Sequence, residues 1–172
     1  VKIGELELGD KVLVAEDRYE DVYSFGHYNP SGIASFLRIT TVGDQHVIEM
    51  TPNHLVLVNA TRWIPAALLR VGDLVTRMKH QQQVEVSRIE TVTRRGVFAP
   101  FTASGTIVVN GVVASNYLSL QDKHEFLHCG NIETPFSFQW LSHSFTAAHR
   151  LACRRFVDCS HETYDETGIS AW

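Results

Sequence analysis

The chain has few of the features that mark a nucleic-acid-binding or membrane-spanning protein. Its 172 residues include 15 Lys and Arg against 19 Asp and Glu, which gives a formal net charge of −4 at pH 7. Lys and Arg do not cluster with aromatic residues along any face, so a phosphate-binding surface is not expected. No window approaches the roughly 18 apolar residues of a membrane span, and no signal-like apolar run is visible. We therefore expect neither a nucleic-acid partner nor a transmembrane span.

Cysteine is scarce and confined to the last quarter of the chain. Cys129, Cys153 and Cys159 are an odd set that defines no disulfide framework. Together with His128 and His161 they offer donors for a structural zinc site, but the paired CxxC spacing of such sites is missing. Two of the cysteines can instead pair in an oxidising compartment. We predict no metal site and no cofactor.

The sequence of segment 4–14 is repeated, with substitutions, at 67–76. Each copy reads as a short helical or turn element that ends at Gly-Asp, at Gly9 and at Gly72, and then enters a strand. A second β-like run follows each copy, so the offset of about 63 residues extends beyond one element. Two copies are too few for a solenoid. This duplication favours one compact domain with pseudo-twofold symmetry.

Short β-branched or alternating runs dominate the chain up to about residue 114. Turn residues of the Gly, Asn, Asp and Pro type separate these runs, which is typical of an all-β region. The runs lie at 36–41, 46–50, 55–58, 84–92, 96–99 and 106–113.

The pattern changes after Ser115. Residues 117–128 have helical spacing, and a second helix is expected over 136–156, with Thr134 as its cap and Pro135 at its first position. The polar tail from Asp158 is expected to be loose. The fold class is therefore mainly β, followed by a short α-helical C-terminal extension.

The stretch 47–58 places Thr51 and His54 between two apolar runs that read as buried strands. A hydroxyl and an imidazole that converge on one amide can polarise its carbonyl and protonate its departing nitrogen. These two residue types at this spacing favour acyl-transfer chemistry, although a structural histidine beside a threonine has the same pattern.

Four ordered motifs, at 4–13, 51–56, 95–102 and 105–115, together resemble the Hint superfamily, specifically the autoprocessing C-terminal domain of hedgehog proteins. The likeness covers roughly residues 3 to 120. It implies a pseudo-twofold Hint β fold at 1–120 and a helical extension at 121–172 in the place where hedgehog proteins recruit sterol.

In that family a Cys at the start of the domain attacks the preceding carbonyl, and a sterol hydroxyl then takes the acyl group from the thioester. The resemblance implies that Thr51 holds the scissile amide and that His54 protonates its nitrogen. It further implies a secreted precursor, a monomer whose own N-terminal segment is the substrate, and a sterol-like acceptor.

Three departures from the family leave alternatives open. No Cys lies near Val1, so the nucleophile is expected just upstream of this chain; a degenerate Hint scaffold is the alternative. His27 stands where metazoan members place an Asp that helps to activate the sterol, and it is either a base for another acceptor or a solvated turn residue. Asn116 replaces a second Cys. Because Ser115 precedes it and Tyr117 follows it, intein splicing is not expected, and Asn116 is interpreted as a structural residue that starts a helix; cleavage by hydrolysis stays a third possibility.

Two further sequence patterns are typical of functional sites, one of a zinc site and one of an apolar ligand site. His124 to His128 fits HExxH, which on a helix binds zinc, but no third ligand follows at the required spacing. The aromatic residues of 136–156 suit a flat apolar ligand such as a sterol. Packing on the β core or lying on a membrane surface explains the same stripe.

Overall fold

Strands make up most of the molecule. The structure, a computed structural model, describes residues 1–43, 47–121, 124–156, 159 and 163–170. Within these residues the elements, in chain order, are β1 Lys11–Ala15, β2 Arg18–Asp21, β3 Ser24–Thr41, β4 Val47–Met50, β5 His54–Val58, β6 Arg62–Pro65, β7 Leu74–Thr76, β8 Gln83–Phe101, β9 Thr106–Val109, β10 Val112–Leu118, β11 Phe126–Cys129, β12 Ile132–Ser137, α1 Phe138–Phe145 and α2 Ala147–Arg155.

One large sheet organises the domain. Its strands follow the order β4-β3-β8-β7-β5-β10-β9, and β6 pairs with β5. The two longest strands, β3 and β8, run antiparallel from Ser24 opposite Phe101 to Thr41 opposite Val86. Two hairpins, β1-β2 and β11-β12, lie outside this sheet. The prediction of a mainly β fold is confirmed.

The duplication predicted from sequence is visible in the hydrogen bonds of the two Gly-Asp turns. Gly9 and Gly72 have positive φ angles of 89° and 96°, which favour glycine. The carboxylates of Asp10 and Asp73 each accept from the backbone amide three residues earlier, at 2.9 and 2.7 Å. The first turn precedes β1 and the second precedes β7. The pseudo-twofold relation therefore holds down to individual turn contacts.

The main core lies between the curled faces of the sheet. Each fully buried aliphatic side chain contributes roughly 1.5–3 kcal/mol to folding. A second cluster, which includes Leu55, Tyr117 and Phe138, attaches α1 to the sheet. The most buried residues of the main core include Ile39, Ile48, Val56, Val75, Val86 and Val112.

The helix predicted over 117–128 is wrong. Residues 117 and 118 complete β10, and 126–129 form β11. The hydroxyl of Ser119 donates to the carbonyls of Gln121, at 2.6 Å, and of His124, at 3.0 Å. Such side-chain bonds to nearby backbone favour turns over helices. Short apolar runs match helix and strand periodicity almost equally well, and here tertiary pairing decides for strand.

The second predicted helix exists but starts later and is divided in two. Thr134 and Pro135 belong to β12, so they neither cap nor begin it. Ser137 caps α1 by accepting from the amide of Trp140 at 3.3 Å. Thr146 then separates α1 from α2. Among the described residues, neither helix is long and apolar enough to cross a membrane.

The described part of the C-terminal tail is not loose. The amide of Tyr28 donates to the carbonyl of Gly168 at 2.7 Å, and Asn29 Nδ2 donates to the carbonyl of Thr167 at 3.2 Å. Ile169 forms a β-bridge with His27. The tail therefore packs along β3; residues 158, 160–162 and 171–172, which belong to the same prediction, lie outside the described part of the chain.

Candidate functional site

Thr51 and His54 are the first and last residues of the tight turn that joins β4 to β5. The amide of His54 donates to the carbonyl of Thr51 at 3.1 Å. The two central residues of the turn accept from the amides of Ala67 and Ser119, at 2.8 Å each. Neighbouring segments thus hold the turn from both sides. This support fixes the backbone on which the two candidate catalytic side chains stand.

The side chains of Thr51 and His54 are hydrogen-bonded to each other. Thr51 Oγ1 lies 3.2 Å from His54 Nδ1. Burial lowers the pKa of His54 to about 4, so the imidazole is neutral near pH 7. If the threonine hydroxyl donates to Nδ1, the ring proton resides on Nε2. His54 then has one N–H available for a second partner.

One cavity of about 440 Å³ brings the predicted site residues together. Thr51, His54 and His27 all line it, and so does Ile3 near the start of the chain. The walls are mostly apolar. Their side chains include Ile33, Ala34, Phe36, Ile48, Met50, Val97, Phe98, Ala99, Pro100, Ile107, Val109, Ala114 and Leu118. The cavity combines a small polar centre with apolar walls, as ligand and active sites commonly do.

His27 lies in β3 opposite Ala99 and is half-buried, so it is a strand residue and not a turn residue. A register irregularity between Phe25 and His27 changes the local path of the strand. The tail passes close by, because a Cβ at Gly168 would lie 2.9 Å from ring atoms of His27. His27 therefore stands where the cavity, β3 and the tail meet.

Asn116 is a strand residue of β10 and does not start a helix. The register with β5 shifts between Ala114, opposite Val56, and Leu118, opposite His54. Asn116 lies in this bulge and lines the cavity. Its Nδ2 donates to Thr102 Oγ1 at 2.9 Å. The sequence analysis singled out Asn116 as an unusual residue at this position. No pattern in the sequence indicated that its side chain would share a cavity with His54.

Ser115 also lines the cavity, but its hydroxyl is engaged elsewhere. It donates to Gln139 of α1 and accepts from the amide of Tyr117 at 2.9 Å. Gln139 in turn donates to the carbonyl of Gly105 at 3.3 Å. Through its hydrogen bond to Gln139, Ser115 therefore connects β10 to α1.

The HExxH motif does not have the geometry of a zinc protease. His124 precedes β11 and His128 lies within it, so the two are not on a helix. Glu125 forms an ion pair with Arg62. The carboxylate of Glu125 is therefore bonded to a guanidinium group, and this ion pair links β6 to the start of β11. The motif therefore lacks the helical spacing on which its interpretation as a zinc-protease site depends.

The zinc set considered from the sequence is not assembled by the described residues. Cys153 and Cys159 form a disulfide with a Cα–Cα distance of 5.4 Å. His149 Nε2 lies 3.2 Å from Cys153 Sγ, whereas Cys129 is an exposed free thiol on β11. His161 lies outside the described residues. The alternative, in which two cysteines pair, is the arrangement found.

The aromatic stripe of the C-terminal helices is divided between packing and exposure. Phe138 is fully buried against the sheet, which confirms packing for one face. Trp140 and Phe145 are 55% and 79% exposed, and Phe136 stacks on Trp140 with ring centroids 5.3 Å apart. Contact between these exposed rings and a sterol stays a prediction.

The chain is similar to proteins of one known family. A family model described as the Hint module matches residues 1–150. Protein hedgehog of Drosophila ananassae is 35% identical over 132 residues, which cover 67% of this chain and 27% of that protein. Warthog protein 6 of Caenorhabditis elegans is 32% identical over 130 residues, which cover 69% of this chain and 22% of that protein. The chain thus spans about a quarter of the length of these curated relatives.

Solved structures share the fold at lower identity. The crystal structure of the gp41-1 intein superposes with a TM-score of 0.57 at 18% identity, and the match covers 67% of this chain and 86% of that one. This likeness establishes the β architecture alone. The family model, which matches most of the chain, shows that the chain belongs to the Hint module family.

Proposed function

We propose that this chain is the self-processing domain of a hedgehog-type precursor, which cleaves the peptide bond at its own N-terminal boundary. The observation that carries the proposal is the hydrogen-bonded pair of Thr51 and His54 inside the cavity. Ile3 lines the same cavity, so the start of the chain lies beside the space that holds the pair. Family membership supports autocatalytic cleavage over an unrelated hydrolase.

In the proposed first step, a cysteine upstream of Val1 attacks the carbonyl of the residue before it. The S–C bond forms, the C–N bond breaks, and the thiol proton passes through His54 to the departing nitrogen. A neutral imidazole suits this relay because it can accept one proton and deliver another. Thr51 orients the ring through its bond to Nδ1 and holds the amide in the reactive geometry.

In the proposed second step, the hydroxyl of an acceptor attacks the thioester carbonyl. The O–C bond forms, the C–S bond breaks, and the upstream segment leaves as an ester while the cysteine sulfur departs as a thiolate that takes up the proton released by the hydroxyl. His27 takes the proton of that hydroxyl, in the place where relatives are expected to use an Asp. The apolar walls of the cavity favour a sterol or another hydroxyl compound with a large apolar part. The exposed rings of α1 are proposed to guide such an acceptor to the domain.

The cellular setting follows from the same proposal. The disulfide between Cys153 and Cys159 supports folding in the oxidising secretory pathway. The precursor is proposed to be a monomer. The domain boundary is proposed near residue 120, with the hairpin and helices as an extension, although the family model continues to residue 150.

Two other functions remain as outcomes of a test. A degenerate Hint scaffold would fold without cleaving, and an intein-like domain would cleave by hydrolysis without an acceptor. The test is a precursor in which the natural residues before Val1 connect a reporter to the domain. We expect dithiothreitol to release the reporter and cholesterol to add further release as an ester, detected by mass spectrometry.

His54→Ala is the matched negative control in this test. Release by dithiothreitol alone would support the thioester step and leave the acceptor open. Release in buffer at the same rate as with either nucleophile would indicate hydrolysis. No release from a folded precursor that contains the cysteine would identify a degenerate scaffold.

A further inference from the structure

Asn116 carries a buried oxygen without a hydrogen-bond partner. Only 3% of the residue is exposed, and its Oδ1 accepts no bond from any described residue. An orphaned buried carbonyl costs free energy, so native proteins rarely keep one without a reason. Because Asn116 lines the cavity that also holds Thr51 and His54, the missing donor can come from a group that enters this cavity.

The orientation of the Asn116 amide follows from its neighbour. Thr102 Oγ1 donates its single proton to the carbonyl of Thr106 at 2.7 Å. It can therefore only accept at its contact with Asn116, which requires the amide nitrogen on that side, 2.9 Å away. Thr102 is fully buried. The acceptor Oδ1 is consequently left on the opposite side of the amide.

The bulge in β10 explains why this side chain stands beside the candidate catalytic pair. β10 has extra residues between the pairs Ala114–Val56 and Leu118–His54. Bulges redirect side chains and are frequent next to active sites. Asn116 sits within the bulge, across from the strand that begins at His54.

A peptide bond that enters the cavity for cleavage brings the complementary group. Its nitrogen must approach His54 to receive a proton, and its N–H leaves water as it does so. A buried N–H requires an acceptor, just as the buried Oδ1 requires a donor. The other polar residue of β10 in the cavity, Ser115, is already bonded to Gln139.

We infer that Asn116 is a further catalytic residue, whose Oδ1 accepts the N–H of the scissile peptide bond while His54 protonates the same nitrogen. This inference rests on the proposed self-cleavage. The bond holds the nitrogen with its lone pair toward the imidazole. After the C–N bond breaks, the same oxygen accepts from the new amine. Asn116 transfers no proton itself, and Thr102 acts as the residue that positions it.

The test uses the precursor with its natural residues before Val1 and measures dithiothreitol-induced cleavage. Asn116→Leu keeps the size of the side chain and removes the acceptor. We expect cleavage to slow about tenfold or more, as loss of one hydrogen bond in the transition state predicts. The variant also removes the bond from Nδ2 to Thr102, so the unfolding temperature of the 172-residue chain is measured alongside, and we expect cleavage to fall by more than any loss of stability accounts for.

Thr41→Val is the matched control. Thr41 is 4% exposed and its Oγ1 also lacks a partner among the described residues, but it does not line the cavity. Its substitution should leave cleavage unchanged. If Asn116→Leu does not fold, Thr102→Val is the second variant, because Thr102 holds the Asn116 amide but does not line the cavity. It also removes the bond to the carbonyl of Thr106, so its unfolding temperature is measured with its cleavage rate. We expect it to slow cleavage while the precursor remains folded.

Wild-type rates in Asn116→Leu, or in Thr102→Val where the first variant is unfolded, would overturn the inference and leave the self-cleavage proposal intact. Slower cleavage that tracks a matching loss of stability would also overturn it, since that pattern indicates a structural role. If the wild-type precursor itself gives no thiol-induced cleavage, the proposed function fails and the role of Asn116 fails with it.

Discussion

Thr51 Oγ1 and His54 Nδ1 lie 3.2 Å apart at the two ends of the turn between β4 and β5. The turn is held by amides from two other parts of the chain, so the hydroxyl and the imidazole are positioned before any substrate arrives. Preorganisation of this kind reduces the reorganisation that a reaction requires.

Removal of the Thr51 hydroxyl should slow thioester formation. In Thr51→Val the imidazole loses the partner that fixes its ring and its tautomer, and we expect thiol-induced cleavage of the precursor to fall about 10- to 100-fold. Thr51→Ser keeps the hydroxyl and should retain most of the rate. Single-turnover cleavage in dithiothreitol measures both, and equal rates in Val and Ser variants would contradict the role of the hydroxyl.

His54 should make stability depend on pH below about 6.5. Its folded pKa is lowered to about 4 by burial, whereas the unfolded chain takes up a proton near 6.5. Stability is therefore unaffected at pH 7, decreases as the pH falls below 6.5, and reaches its full loss near pH 4, on the order of 3 kcal/mol. Urea denaturation between pH 4 and 7 measures this loss.

His54→Gln is the control for that titration, because glutamine keeps polar character without ionising. The variant should lose less stability over the same pH range than the wild type. Parallel curves for the two proteins would show that other groups, and not His54, account for the acid sensitivity.

His27 should matter for the second step alone. We expect His27→Ala to leave thiol-induced cleavage near the wild-type rate and to slow cleavage by the hydroxyl acceptor, because a base for the acceptor does not take part in thioester formation. His27→Asp, which introduces the carboxylate that the family resemblance implies at this position, should restore part of the acceptor-dependent rate. Equal slowing of both reactions in His27→Ala would assign the residue to the first step or to folding.

Gly168 should be required for the tail to dock on β3. It has a positive φ of 90°, and a Cβ would lie 2.6 Å from Asn29 and 2.9 Å from His27. In Gly168→Ala we expect the tail to detach and the amide of Tyr28, which donates to Gly168, to exchange faster with deuterium. Hydrogen exchange followed by mass spectrometry measures the change.

Gly130→Ala is the matched control for that experiment. Gly130 also has a positive φ, of 63°, but a Cβ there would meet nothing within 4 Å. Both variants thus introduce a strained backbone position, and only one introduces a clash with the tail's binding surface. Exchange at Tyr28 that is unchanged in Gly168→Ala, or raised equally in Gly130→Ala, would contradict the docking role.

The Gly-Asp repeats and the alternating runs were enough to predict the class of fold. A Gly with positive φ followed by a carboxylate that accepts a nearby amide is a local arrangement, and local arrangements are encoded by adjacent residues. The run 106–113 was predicted as one continuous strand-like segment, and this prediction missed a turn within it. It is a hairpin, because Asn110 and Gly111 both adopt positive φ and separate β9 from β10.

The helix expected at 117–128 failed for a physical reason. Its apolar spacing suits a helix, but Tyr117 completes a strand that pairs with neighbours distant in sequence, and Ser119 bonds to the backbone as a turn residue. Such nonlocal pairing is not readable from a short window. The prediction of a loose C-terminal tail failed for a similar reason. The residues to which the tail bonds, Tyr28 and Asn29, lie more than a hundred residues earlier in the chain.

The sequence by itself determined the mainly β class, the duplicated turns and the Thr51–His54 pair, because each depends on residues close together in the chain. Only the tertiary structure decided that His27 and Asn116 share a cavity with that pair, that Cys153 bonds to Cys159, and that one oxygen of Asn116 lacks a donor. These relations join strands and helices far apart in sequence. They are set by burial and by sheet register, which no local pattern records.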